Sequence, residues 1–260
     1  MIWMAVSLPI AVLCFCITTA NARNHFSSGS IYNTIITTFF TNLDLINCPL
    51  SEISLPQSTL PAPSEGLSLQ FLTIGRGTQN YTCATNTNTS TPEAIGATAT
   101  LFDASCLAAL DVDTDFNDSS SESQSLLHLL PDVLRSVPLG SADFLSNLIT
   151  RVTGQDLVIG THYFTADGVP FFDFRGSSSD SSRATAESWV AAAKDDDEDA
   201  PAKPGYGITG DVAWLKLTRV EGGISEVYRL HTSGGAAPAT CEGMPEVFTV
   251  DYTSEYWFYG

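Results

Sequence analysis

Four histidines, His25, His128, His162 and His231, are the side chains best able to exchange protons near neutrality. His25 lies near the start of the chain, and His128 lies in a leucine-rich stretch with helical spacing. His162 and His231 fall within or at the ends of strand-like segments, so these two could face one cleft. Tyr163, beside His162, and Tyr256, in the aromatic C-terminus, complete a set of four candidate binding residues. A histidine base there would suit a hydrolase. So would a carboxylate pair drawn from Asp103, Asp167, Asp173, Asp211 and Glu255, but their spacing singles out no pair, and no catalytic residue is assigned.

Motifs that would announce other chemistry fail on context. There is no Gly-x-Ser-x-Gly elbow, no His-Glu-x-x-His and no Gly-x-x-x-x-Gly-Lys-Ser/Thr. Gly205-Tyr206-Gly207-Ile208-Thr209-Gly210 matches a dinucleotide fingerprint letter for letter. It follows an acidic linker instead of a strand, and it precedes a strand instead of the helix whose amides would hold a pyrophosphate. Gly75-Arg76-Gly77-Thr78-Gln79-Asn80 follows a strand but lacks the last glycine. No nicotinamide dinucleotide and no other cofactor is therefore expected. No metal is expected either, because there is no Cys-x-x-Cys pair and no histidine at ligand spacing from a cysteine.

Charge narrows the partners. Eleven Lys and Arg stand against 29 Asp and Glu, a net charge of -18, which cannot supply the basic stripe a nucleic acid requires. With 43% hydrophobic and 15% charged residues, the 260-residue chain can bury a substantial core.

The apolar run Met4 to Ile17, followed by small residues at Ala20 and Ala22, reads as a signal peptide over residues 1–22. The run is shorter than the roughly 20 residues a spanning helix needs, so a secreted, extracellular protein without a membrane span is expected. Cys14 and Cys16 would leave with the signal, and Cys48, Cys83, Cys106 and Cys241 would remain. In an oxidising compartment these four suggest two disulfides, and spacing leaves their connectivity open. Asn80, Asn88 and Asn117 head glycosylation sequons. If Tyr81 and Cys83 point into a core, alternation turns Asn80 outward, where a glycan is tolerated.

The elements that must position these residues are mainly strands. Short alternating or apolar runs punctuated by Gly, Pro, Asn and Asp fill the chain from Gly66 onward. Leu67 to Phe71 and Gln79 to Ala84 read as two strands with a turn or bulge at Gly75-Arg76-Gly77. Further strands are expected at Ala97 to Phe102, Leu157 to Phe164, Val169 to Phe174, Val212 to Val220, Glu226 to Thr232 and Phe248 to Tyr259. The expected fold is all-β, an antiparallel sandwich or barrel-like domain, with a short helical insert at 121–151 divided by Pro131 and Pro138. The acidic, serine-rich stretch 177–204 reads as a solvated flexible loop. The division is then a signal at 1–22, an N-terminal segment at 23–60 and one domain at 61–260. Aromatics crowd residues 163–174 and 252–259, and alternation sends only about half of them inward. The remainder, if gathered on one face, would make a stacking platform for sugars.

Taken in order, Gly77-Thr78-Gln79-Asn80-Tyr81-Thr82-Cys83, His162-Tyr163-Phe164, Trp214-Leu215-Lys216-Leu217, Thr232 to Cys241 and Tyr252 to Tyr259 resemble a family of uncharacterised secreted fungal and bacterial proteins. Its fungal members often carry the automatic name malate dehydrogenase. The resemblance spans about Pro61 to Gly260 and implies a secreted all-β domain of no established activity. Its Gln-x-Tyr-x-Cys and Gly-Gly-x-x-Pro-x-x-Cys pieces fall on Gln79, Tyr81, Cys83 and on Gly234, Gly235, Pro238, Cys241, which implies a Cys83–Cys241 pair and leaves Cys48 with Cys106. Malate dehydrogenase activity is not expected, because neither a βαβ nucleotide site nor arginines to clamp a dicarboxylate are in evidence. The expected function is binding at a cell wall or extracellular interface, with carbohydrate or a cell-wall polymer as the ligand class. A secreted hydrolase using a His or carboxylate site is the alternative.

Overall fold

The structure, a computed structural model, describes residues 50–108, 126–141, 157–176, 184–201 and 210–260. The signal segment, Cys48, Asn117 and all of the dinucleotide-like motif except Gly210 lie outside the described residues. Eight antiparallel strands form a closed barrel in chain order: β1 Leu69–Thr82, β2 Glu93–Asp103, β3 Val158–Phe164, β4 Pro170–Asp173, β5 Trp189–Glu198, β6 Trp214–Gly222, β7 Glu226–Gly234 and β8 Val247–Tyr259. Closure is made by β8 pairing with β1 from Leu69 opposite Tyr259 to Thr82 opposite Val247. The expected barrel-like class is thus the observed one.

Alternation fills the lumen. Phe71, Leu101, Phe172, Phe174, Val190, Leu217, Val227 and Phe258 are buried in one cluster. Phe71 stacks on Phe174 at 4.3 Å, and Phe258 meets Phe174 edge-on at 4.8 Å. Burying each such side chain contributes roughly 1.5–3 kcal/mol, so the wall is held chiefly by what it encloses.

Two expected breaks are absent. The Gly75-Arg76-Gly77 turn does not occur, and β1 runs through it, because both glycines are sites of close approach and neither reverses the chain. A Cβ at Gly75 would lie 2.6 Å from the Tyr256 ring, and one at Gly77 would lie 1.8 Å from the Thr98 carbonyl oxygen. The acidic stretch is likewise not all loop, since Trp189–Glu198 is β5. Val190, Ala191 and Ala192 are buried, while residues 193–197 are exposed on the stretch that pairs with β6. Lys194 holds Asp197 at 2.7 Å, and Lys216 stands 3.8 Å from Asp195, which lets charged side chains line an extended strand.

Outside the barrel lie a short helix, α1 Ser105–Ala108, and a longer one, α2 Leu126–Arg135. Pro131 does not divide the insert at this point, because α2 continues through it. Its cost is the bond its missing N–H would make to Leu127. Packing compensates: Leu127 and Leu130 are buried, and α2 lies across β7 and β8. Arg76, buried on the outer face of β1, caps the helix end by donating to the Leu134 and Val137 carbonyls while pairing with Asp251 at 2.9 Å.

The segment preceding β1 is tied along the outer wall. Ser64 donates to Glu226, Lys216 to the Ala62 carbonyl and Tyr228 to the Pro61 carbonyl, and Thr59 hydrogen-bonds Glu198. Cys83 and Cys241 form a disulfide, as the resemblance implied, within a small cluster that includes Tyr81 and Phe248. Cys106, in α1, is also disulfide-bonded.

Candidate functional site

The four candidate binding residues go to three places. His162 and Tyr256 share the lumen, with ring centroids 5.9 Å apart. His162 stacks on Phe172 at 4.1 Å and is only 5% exposed. Its Nδ1 donates to the Phe171 carbonyl at 2.9 Å, which fixes the tautomer. Tyr256 shares a 2.9 Å hydroxyl–hydroxyl hydrogen bond with Tyr252, and burial pushes both phenols up from their ordinary range.

Burial lowers the His162 imidazole to about 4, against the upward pull of the Phe171 carbonyl. The folded protein therefore holds this ring neutral, whereas the unfolded chain takes up a proton below about 6.5. Stability is expected to fall by about 3 kcal/mol as pH drops from 6.5 to 4, since the unfolded state binds the extra proton throughout that window. Urea unfolding at several pH values should show a shallower fall in His162→Leu than in the parent. Parallel curves for the two proteins would refute this.

Tyr163 points the other way. It is 38% exposed and begins a row of rings across the outer face of β3, β4 and β5. It stacks on Phe171 at 5.1 Å, and Phe171 stacks on Trp189 at 5.2 Å. The register explains the row: Tyr163 pairs with Phe171, and Trp189 pairs with Asp173, two residues along the same face. Arg175 lies over the Trp189 ring at 4.9 Å and grips Asp173 with two hydrogen bonds of 2.9 Å. This pairing holds the Asp173 carboxyl below its usual range. The result is an aromatic strip partly overlaid by a fixed guanidinium–carboxylate pair, which sets directional donors and acceptors against apolar rings.

His231 occupies a third place, where the β7–β8 pairing slips between Leu230 and Ser233. Its φ of 45° makes it the one non-glycine residue with positive φ among the described residues. The slip presents its ring to α2, where it stacks on His128 at 3.9 Å and 10° and leans on Trp214 at 4.8 Å. His128 Nδ1 lies 2.8 Å from Glu255 Oε1, and Trp257 Nε1 donates to Glu255 Oε2 at 3.1 Å. Glu255 is fully buried on the outer face of β8. The sequence shows His128 and Glu255 only as a helical histidine and a strand carboxylate. Their meeting depends on the packing of α2 onto the barrel, which spacing does not encode. The one available signal was a carboxylate set inside the aromatic run Tyr252 to Tyr259.

Two of the three sequon asparagines lie among the described residues. Asn88 is exposed, and Asn80, half-buried on the outer side of β1, accepts from Thr78 Oγ1 at 3.1 Å.

Among families of known sequence, the model described as "Protein of unknown function (DUF3455)" matches residues 63–260. No curated protein and no solved structure matches the chain. The matched range covers the whole barrel and begins six residues before β1, and the family description carries no activity.

Proposed function

Because the chain belongs to the DUF3455 family, whose description leaves activity open, we propose from its own geometry that it is an exported binding domain for carbohydrate, acting at a cell wall or extracellular interface. The observation that carries this reading is the row Tyr163, Phe171 and Trp189 on the outer face of β3–β5. Sugars present C–H faces that pack on aromatic rings and hydroxyls that need directional partners, and here Arg175, lying over the Phe171 and Trp189 rings, and its partner Asp173 supply such groups beside the row. A rigid sheet holds the row in register, so ligand binding would require little reordering. Export is supported by the N-terminal apolar run with its small-residue end and by the disulfide that ties the barrel.

Retention on insoluble chitin, β-glucan and cellulose, with a glycan array alongside, tests the proposal. The parent protein should be retained on at least one polymer, and Tyr163→Ala with Trp189→Ala should weaken retention tenfold or more while leaving the far-UV spectrum unchanged. Absence of retention on every polymer, or full retention by the double variant, would refute it.

A further inference from the structure

The geometry points to a second site, independent of the aromatic row: a transition-metal site, zinc by preference, formed by His128, His231 and Glu255. Three elements each contribute one of these residues: α2, the β7 slip and β8. One potential ligand atom from each residue lies within 4.8 Å of the other two. Bonds of roughly 2.0–2.2 Å at tetrahedral angles place ligand atoms about 3.4 Å apart, so loading draws the more widely separated side chains inward by up to about 1.4 Å.

The donor set selects the class of ion. Two imidazoles and one carboxylate suit zinc or its neighbours, whereas calcium and magnesium prefer oxygen alone. Three protein ligands would also leave a fourth position open, the arrangement that distinguishes reactive zinc sites from closed structural ones.

The surroundings resemble those of a supported metal site. Trp257 Nε1 donates to the Glu255 oxygen that does not face His128, as an outer partner does when it orients a ligating carboxylate. The two imidazoles are stacked in nearly parallel planes, so one ring must turn about its side-chain torsions for both in-plane lone pairs to meet one ion. The side chain of His128 is 27% exposed, which gives an ion a path to the buried carboxylate. The strained φ of His231 also becomes intelligible, since such conformations persist where the surroundings require a residue to point in a particular direction.

The test uses the folded full barrel without a polyhistidine tag, stripped with chelator and titrated calorimetrically with Zn²⁺. One ion should bind per chain, and X-ray absorption of the loaded protein should show imidazole nitrogen at roughly 2.0–2.1 Å. Binding should weaken at least tenfold in His128→Gln and in Glu255→Gln, and by 10–100-fold in Trp257→Phe, the variant of the orienting partner. If a variant fails to fold, stoichiometry and the absorption spectrum of the parent protein still decide the matter. Failure to take up stoichiometric zinc, a spectrum without imidazole nitrogen, or undiminished binding by folded His128→Gln and Glu255→Gln would each overturn the inference.

Discussion

Gly77→Val is expected to yield a chain that does not close its barrel. A side chain at this position points into the wall where β1 meets β2, and its first carbon would sit 1.8 Å from the Thr98 carbonyl oxygen and 2.7 Å from the Ala99 Cα. Both obstacles are backbone, so no rotamer change relieves the clash. The ladder itself would have to part, and closure depends on β1 being paired on both sides. Even Gly77→Ala should cost more than about 4 kcal/mol, at the far end of single-residue effects. Gly75→Ala should cost less, because the atom it meets at 2.6 Å belongs to the Tyr256 ring, which can move. Gly168→Ala supplies the control: with φ at 75° and nothing within 4 Å, it bears only the left-handed penalty of roughly 1–2 kcal/mol. Urea denaturation of the three variants should give that order of stability, and a Gly77→Ala protein as stable as Gly168→Ala would contradict the account.

Removing the Cys83–Cys241 bridge should have the second largest effect. The two cysteines are separated by 158 positions, and the loop-entropy relation for so long a loop gives about 5 kcal/mol of lost stability. The native arrangement around the bridge is already well specified, since Cys83 N–H donates to the Glu246 carbonyl at 2.8 Å and Cys241 N–H to the Ser90 carbonyl at 2.9 Å. The loss should therefore come largely from freeing the unfolded chain. A Cys83→Ala/Cys241→Ala protein is expected to keep the spectrum of the barrel and to unfold at markedly lower denaturant. A loss below about 1 kcal/mol would mean that the bridge constrains little.

Much of this architecture was legible from residue order, for a physical reason. Alternation states which side chains share a face, and so the runs at Ala97 to Phe102, Leu157 to Phe164 and Phe248 to Tyr259 each appear as strands close to where they were expected. What alternation does not state is which strand lies beside which. Glycine was misleading in β1, because a residue that bends chains elsewhere serves here to admit a neighbouring backbone. Charge was misleading in β5, where the acidic block hid a strand whose opening residue, Trp189, completes the aromatic row. Tyr163 and Phe171 were visible as aromatics, but their common outward direction became evident only with the register. The His128, His231 and Glu255 group was least legible, since a helix packed on a sheet leaves no short-range signal of what it covers.

The brevity of β4 has a further consequence. It pairs with β5 only as far as Phe171 opposite Ala191, so among the described residues no strand accompanies the acidic half of β5 on that flank. An unaccompanied flank is a template on which another chain can polymerise, and proteins commonly guard such places with clustered like charge. Asp195, Asp196, Asp197 and Glu198 occupy that stretch. Like charge along that flank would repel the matching strand of a second copy, at the place where sheet-to-sheet accretion would otherwise begin.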